Sequence, residues 1–347
     1  MKSSILMKSF LASSIWHMGL ISQMLTRAPK NNFVILMYHR VIPKNEFHKG
    51  IQAGMYVEPG TFESHIRFLK EYFSIRPISE IFSKSQKSIR LLNGKPSCVL
   101  TFDDGWYDFY TNCFPILKAH GVPATVFLPT DFIGTEKCFW TDRLSLLIYQ
   151  RSKHDNPKTF EAAEQLKIES PLVRILMCLK GSLESRLESA IALLKTRSNE
   201  DIEKTIIELS SLWGIESKPL GRVFLSWEEV NEMGRTGLIS FGSHTATHRI
   251  LTMLPKEEVK EELIKSKEDL ISRSVVDPSF IAFSYPNGNY NEDICQMVKD
   301  AGYTLAVTTK KGWNHKGLDP FILKRFPIHQ DITSTEAMLG CRIAGLF

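Results

Sequence analysis

The sequence predicts an α/β fold, either a barrel-like or a doubly wound parallel sheet, on three observations. Short apolar runs of strand length recur along the chain, and they are continuous rather than alternating, as strands buried on both faces are. Amphipathic helical patterns separate these runs about seven times over. Polar residues with chemical potential stand directly after several runs, and in such folds sites form at the carboxyl ends of the strands.

The strand-like runs cover residues 33–37, 97–101, 124–128, 238–241, 280–283, 304–307 and 321–323, with a weaker one at 73–75. A helix is expected over 61–72, where Phe62, Ile66 and Leu69 share a face. Another covers 114–120 and stops at Gly121. A charged amphipathic helix is expected over 256–271, with Val259, Leu263, Ile264 and Leu270 on its apolar side. A last one covers 293–301 and stops at Gly302. Residues at about 142–219 break the rhythm. They are rich in Leu, Lys, Glu and Ser and read as a helical insertion, either a packing cap or a lid or partner-binding subdomain. The expected organisation is a helical segment over 1–32 and one main domain over 33–347 that contains the insertion.

Composition narrows the function. With 347 residues, 43% hydrophobic and 23% charged, the chain builds an ample core without staples. The net charge of +5 is too weak for a nucleic-acid partner, and no basic stripe with interleaved aromatics occurs. Cys98, Cys113, Cys138, Cys178, Cys295 and Cys341 are scattered, with no CxxC spacing. They read as free thiols, and they point to the cytoplasm or the cytoplasmic membrane face, with secretion left open. Lys2 and Lys8 precede or flank a short apolar stretch that His17 interrupts, well short of the roughly 20 residues a membrane span needs. A packed helix, a helix lying on a membrane surface and a cleaved signal are the three readings of this stretch.

Two motifs carry the chemistry. Thr101-Phe102-Asp103-Asp104-Gly105 follows the second run and supplies adjacent carboxylates. Ser243-His244-Thr245-Ala246-Thr247-His248 follows the fourth run and supplies two imidazoles four positions apart. Alone, each has an ordinary explanation. Asp-Asp-Gly suits a turn, and an HxxxH spacing arises by chance; here the flanking Gly, Ser and Thr favour a turn or a helix start. Together they offer two nitrogen ligands, an anionic oxygen ligand and a spare carboxylate to act as a base beside a metal. His39 after the first run, Pro129-Thr130 after the third and Pro286-Asn287-Gly288 after the fifth would converge on the same face.

These motifs resemble those of the polysaccharide deacetylases, carbohydrate esterase family 4. The family's TFDDG is matched without change at 101–105, and its SHTxxH form fits Ser243 to His248. The stretch FPILKAHGVPATVFLP over 114–129 is similar as well, and the likeness spans roughly 95–309 outside the insertion. Leu36-Met37-Tyr38-His39-Arg40 resembles the opening of the poly-N-acetylglucosamine deacetylase branch. The resemblance implies a deformed (β/α)7 TIM-like barrel and removal of N-acetyl groups from N-acetylhexosamine units of a polysaccharide or lipid-linked glycan. It also implies a divalent metal, typically zinc, on Asp104, His244 and His248, with Asp103 as general base.

The chain departs from the common family pattern in two places. The general acid is either the early His39 or the late His329. The usual RxPYG motif is replaced by Phe283-Ser284-Tyr285-Pro286-Asn287-Gly288, so Ser284 stands where an arginine would orient the base. Pro286 has no N–H, which leaves the Asn287 backbone as oxyanion donor, and Arg325 is the candidate to hold Asp103. The altered motif also motivates a second reading, a glycan- or partner-binding protein with impaired catalysis on the same fold. Trp140 and Trp313 are candidates for stacking on a sugar, or simply for packing. A further expectation places the protein at a membrane face, in peripheral contact through its first helix. The sequence leaves the oligomeric state open.

Overall fold

The structure is a computed structural model and describes residues 2–27, 32–44, 46, 52, 54–82, 94–153, 170–219, 221–315 and 317–346. The chain divides into two compact units: one of Met1–Ile42, Gly54–Thr135 and Phe224–Phe347, the other of Pro43–Ala53 and Glu136–Val223.

The first unit is built on a parallel sheet. Its strands in chain order are β1 (Asn32–Tyr38), β2 (Arg40–Val41), β3 (Tyr56–Val57), β4 (Ser74–Ile75), β5 (Ser97–Phe102), β6 (Ala124–Leu128), β7 (Ile239–Ser243), β8 (Ala282–Ser284), β9 (Leu305–Val307), β10 (Asn314–His315) and β11 (Phe326–Pro327). The main order is β10-β1-β5-β6-β7-β8-β9, parallel except for β10, which runs antiparallel to β1, while β2 and β3 form a separate two-stranded sheet. The ring closes through residues 323–327. Leu323 forms a parallel bridge to Val307, and β11 pairs in parallel with β1 through Leu36 to Phe326 and Met37 to Pro327. Staves β1, β5, β6, β7, β8, β9 and this last segment complete a (β/α)7 barrel, and single-residue seams such as Ser243 to Phe283 account for its deformation.

The last stave corrects one expectation. Of the apolar run at 321–323, only Leu323 joins the sheet. Asp319 accepts the Phe321 N–H (2.9 Å) and its carbonyl accepts the Ile322 N–H (3.2 Å), so a turn takes up the start of the run. The β1 ladder begins further on, at Phe326.

Alternation along the staves sorts the barrel interior by height. Phe33, Ile35, Val99, Phe127, Leu305, Val307 and Leu323 form a buried apolar plug with Ile78. Continuing the same parity upward gives Thr101 and Asp103 on β5, Ser284 on β8 and Arg325 on the last stave. The polar layer therefore sits directly above the apolar one. His39, four residues after Ile35 on the same parity, belongs to this mouth.

Helices cover the outside. Pro59–Tyr72 buries Phe62, His65, Ile66, Phe68 and Leu69. Phe114–His120 ends at Gly121 in the left-handed conformation, the stop its sequence predicts. Lys256–Ser272 buries Val259, Glu262, Leu263, Ser266 and Leu270. The first two helices, Lys2–His17 and Leu20–Thr26, also lie in this unit. Trp16 packs on Phe68 and Tyr72 at ring separations of 5.7 and 6.0 Å.

The second unit has its own core. Helices Trp140–Ser152, Pro171–Met177, Leu183–Leu194 and Asn199–Trp213 bury Leu144, Leu147, Val173, Ala190, Leu194 and Ile206. Ser170, Ser182 and Ser198 cap three of them by accepting a backbone N–H. Trp140 packs against this core, and Trp313 donates its indole N–H to the Ile343 carbonyl (2.9 Å), so both tryptophans serve packing.

Gly242 marks the tightest strand approach. A Cβ there would lie 2.7 Å from the Ala282 carbonyl oxygen and 2.8 Å from the Phe127 ring. Gly242→Val is expected to cost about 1–3 kcal/mol through forced strand separation, read as a lower urea midpoint at unchanged slope.

Candidate active site

The mouth of the barrel gathers residues from four strand ends. Asp103 extends the β5 ladder, donating its N–H to the Tyr38 carbonyl (3.0 Å), which sets it beside His39. Strict alternation would send Asp104 to the opposite face. Instead Asp104 takes φ 75° and Gly105 φ 64°, and these two left-handed residues turn the chain across the barrel mouth. Both carboxylates therefore reach the same space. Glycine is favoured at 105 by its positive φ, and a Cβ there would stand 2.7 Å from Leu128 Cδ2.

Asp103 is held by Arg325. The guanidinium is fully buried and uses all five donors: Nη1 to Asp103 Oδ1 (2.7 Å) and Thr101 Oγ1 (3.2 Å), Nη2 to Asp103 Oδ2 (2.7 Å) and Ser284 Oγ (3.1 Å), Nε to the Thr308 carbonyl (2.9 Å). Ser284 Oγ also donates to Asp103 Oδ2 at 3.3 Å. Burial pushes the Asp103 carboxyl up, but Arg325, then His244 and His39, outweigh it and hold the carboxyl below the usual carboxylate range. Asp103 is an anion at neutral pH.

Asp104 faces the two imidazoles. Its Oδ1 lies 3.4 Å from His244 Nε2 and 3.2 Å from His248 Nε2, and its Oδ2 accepts the Trp106 indole N–H (3.0 Å). Burial is again opposed, here by bonds to His244 and His248, and the carboxyl sits well below its ordinary value. Burial pulls the His244 pKa down, and the Asp104 and Asp103 carboxylates more than offset it, so the net shift is upward.

The three groups fit a metal ion. One ligand atom from each of Asp104, His244 and His248 lies within 4.8 Å of the others. His244 Nδ1 donates to the Ser284 carbonyl (2.8 Å), which turns Nε2 toward Asp104 as a ligating imidazole requires.

The His-His segment is a turn, not a helix face. Thr245 and His248 both have positive φ, 65° and 59°. Glu262, which the motif reading did not single out, holds this turn. Its carboxylate accepts the N–H groups of Ala246 (3.0 Å) and Thr247 (2.8 Å), the Thr247 hydroxyl, and the Arg249 Nε and Nη2 (3.2 and 3.1 Å). The Thr245 hydroxyl accepts the His248 N–H (2.9 Å). The sequence did contain a signal: Glu262 lies on the core face of its helix, between Val259 and Leu263, where a carboxylate needs a buried partner.

The remaining predicted residues separate. His39 is half-buried and close enough to feel Asp104, Asp103, Arg325 and His244, although burial is the stronger influence and lowers its pKa. Arg40 anchors the chain just after it, with Nε on Asp108 Oδ2 (2.8 Å) and the guanidinium 4.3 Å above the Trp106 ring. His329 heads the helix Gln330–Thr333 and directs Nδ1 to Asp331 Oδ2 at 3.4 Å. Asn287 occupies the turn after β8 with φ 55°, and its side chain donates to Asn289 Oδ1 (2.6 Å). Thr130 bonds Asp269 (2.8 Å) and supports the His-His turn through its N–H to the Thr245 carbonyl (3.2 Å).

With this geometry in view, comparison with known proteins is decisive at the family level. The sequence profile of "Polysaccharide deacetylase" matches residues 92–168 and 184–306. The chain belongs to the polysaccharide deacetylase family. It is 24% identical, over 80% of its length, to a putative polysaccharide deacetylase, YxkH, of Bacillus subtilis. It is 35% identical, over 82% of its length, to a poly-β-1,6-N-acetyl-D-glucosamine N-deacetylase of Escherichia coli K12. The chain spans 64% of the first relative and 35% of the second. The deacetylase PplD of Streptococcus pyogenes, solved in complex with acetate, shares the fold at TM-score 0.56 and 19% identity, over 90% of this chain and 97% of that one.

Glu262→Gln keeps the size but replaces an acceptor oxygen by an N–H₂ donor. Its affinity for a divalent cation is expected to fall roughly 10–100-fold in a chelator competition titration, with the far-UV circular dichroism unchanged.

Proposed function

We propose that this chain is a metal-dependent hydrolase that removes N-acetyl groups from N-acetylhexosamine units of a polysaccharide or lipid-linked glycan. The observation that carries the reading is the buried Asp103 carboxylate, held ionised by Arg325, beside a separate three-ligand group at the barrel mouth. Relatives named as N-acetylglucosamine polymer deacetylases support the substrate class.

Asp104, His244 and His248 would hold the cation, and two imidazoles with one carboxylate suit zinc. When bound, it supplies Lewis-acid polarisation of an acetyl carbonyl and acidifies a water. Asp103 accepts the proton of the attacking water as general base, with Arg325 and Ser284 fixing which oxygens face it. The Asn287 backbone N–H is the donor assigned to the developing oxyanion. His39, the imidazole within electrostatic reach of both carboxylates, delivers a proton to the departing amine nitrogen, and the proton held on Asp103 restores it. His329, paired with Asp331, has no such task. Impaired catalysis was suggested by the altered third motif, and the Arg325 and Ser284 bonds to Asp103 speak against that reading.

Acetate release from N-acetylglucosamine oligomers tests the proposal. Asp103→Asn is expected to lower kcat about 10²–10⁴-fold, and chelation to abolish turnover until zinc is restored. Release that persists in both conditions would sink the reading.

The pH profile of kcat/KM separates the two histidines. Its acid limb follows protonation of Asp103, lies below the usual carboxylate range, and moves to higher pH in Arg325→Lys, which loses the two-point fork. The alkaline limb follows loss of the His39 proton, falls below the ordinary imidazole range because burial lowers that pKa, and disappears in His39→Asn, whereas His329→Ala leaves both limbs in place.

A further inference from the structure

The first two helices present a surface that the barrel does not use. On Lys2–His17, Met7 and Phe10 are 70% and 76% exposed and Leu11 is also exposed. At 100° per residue these three fall within a stripe about 100° wide. Trp16, which packs on Phe68 and Tyr72, lies on the opposite side of that helix, as does the fully buried Ala12. The next helix repeats the division: Ile21 and Leu25 are buried, Leu20 and Met24 exposed, and Met18 at the join is exposed too. Half of the large apolar side chains exposed among the described residues fall on this short stretch. Ile21 is seated against Gly340, where a Cβ would meet Ile21 Cγ2 at 2.6 Å, so the inner face is closely packed on the barrel's last helix.

The two helices carry basic residues and no acidic one, and the nearby carboxylates of the packed elements, Glu71 and Glu336, lie toward Tyr72, which packs on Trp16 on the inner side. The first acidic residue of the chain is Glu46, while Lys8, His17 and Arg27 are exposed on or beside the two helices. Lys311 and Arg342 adjoin them. Burial lowers the Lys311 pKa, and the positive charges of Arg342 and Lys8 lower it further. No helix among the described residues is long and apolar enough to cross a membrane.

We propose that the outward face of helices Lys2–His17 and Leu20–Thr26 is a docking surface for an anionic lipid bilayer. Met7, Phe10, Leu11, Met18, Leu20 and Met24 enter the headgroup–acyl boundary, and Lys8 and Arg27 meet lipid phosphates. Charge decides in favour of lipid over a second copy of the chain. A two-fold contact would set this positive face against itself, whereas an anionic surface complements it. The inference is independent of the deacetylase reading, because none of these residues belongs to the site.

Sedimentation of the full chain with vesicles tests it, using phosphatidylcholine mixed with phosphatidylglycerol and phosphatidylcholine alone. Binding is expected to the mixed vesicles, to be at least tenfold weaker to phosphatidylcholine alone, and to weaken as salt is raised. The double variant Met7→Asp, Phe10→Asp and the charge variant Lys8→Glu, Arg27→Glu are each expected to lose at least tenfold in binding, while keeping the wild-type Tm and hydrolytic rate on soluble oligomers. Equal sedimentation of wild type and both variants would overturn the proposal. So would absence of binding to mixed vesicles, or a wild-type dimer in light scattering that Met7→Asp, Phe10→Asp makes monomeric.

Discussion

The buried pairing of Arg325 with Asp103 is the interaction on which the rest of the site depends. A guanidinium with no solvent exposure carries a desolvation penalty of several kcal/mol unless every donor is matched. Here each of the five is matched, on Thr101 and Asp103 of the second stave, Ser284 of β8 and the Thr308 carbonyl after β9. Arg325 itself sits on the stave that closes the ring. Barrel closure and the ionisation state of Asp103 are thereby one problem with one solution. Removing either partner would leave the other charged and buried, a loss on the order of 3–5 kcal/mol.

The same economy separates the two aspartates. Neighbours in a strand point to opposite faces, so adjacent carboxylates on one site require a break in the strand, and the left-handed pair Asp104-Gly105 supplies it. Asp103 keeps its strand geometry and meets a guanidinium; Asp104 leaves the strand and meets two imidazoles. The imidazoles lie on a turn that is irregular in its own right, with two non-glycine residues at positive φ. Such a turn persists because Glu262 satisfies its backbone donors from a neighbouring helix, and Ser284 fixes the orientation of His244 from the next strand.

The two units follow different organising rules. In the barrel unit, alternation along short strands sets an apolar plug below a charged layer. In the helical unit, amphipathic stripes and serine caps suffice to build a separate core from Leu, Ile and Val. The expected insertion at about 142–219 lies within this second unit, which runs from Glu136 to Val223 and also takes in Pro43–Ala53.

Much of this was legible in the order of residues alone. Most strand runs, the glycine stop at Gly121 and the two motifs at strand ends follow from local pattern and from the position of each motif relative to its run, whereas Arg325 entered only as the candidate to replace the arginine that the resembled family carries where Ser284 stands. Period and placement are properties of the chain itself. Tertiary structure alone decided the rest. Residues 321–322 became a turn because Asp319 captured their backbone donors, Leu323 alone bridges Val307, and the ladder to β1 formed at Phe326. His39 and His329 each sit near a strand end; His39 feels both aspartates, because its stave neighbours that of Asp103, whereas His329 Nδ1 lies 3.4 Å from Asp331. Glu262 was visible as a carboxylate on an apolar helix face, but its partners belong to a turn that comes together only when β7 and the following helix pack. Sequence determines which faces must be buried; long-range packing determines which polar groups meet there.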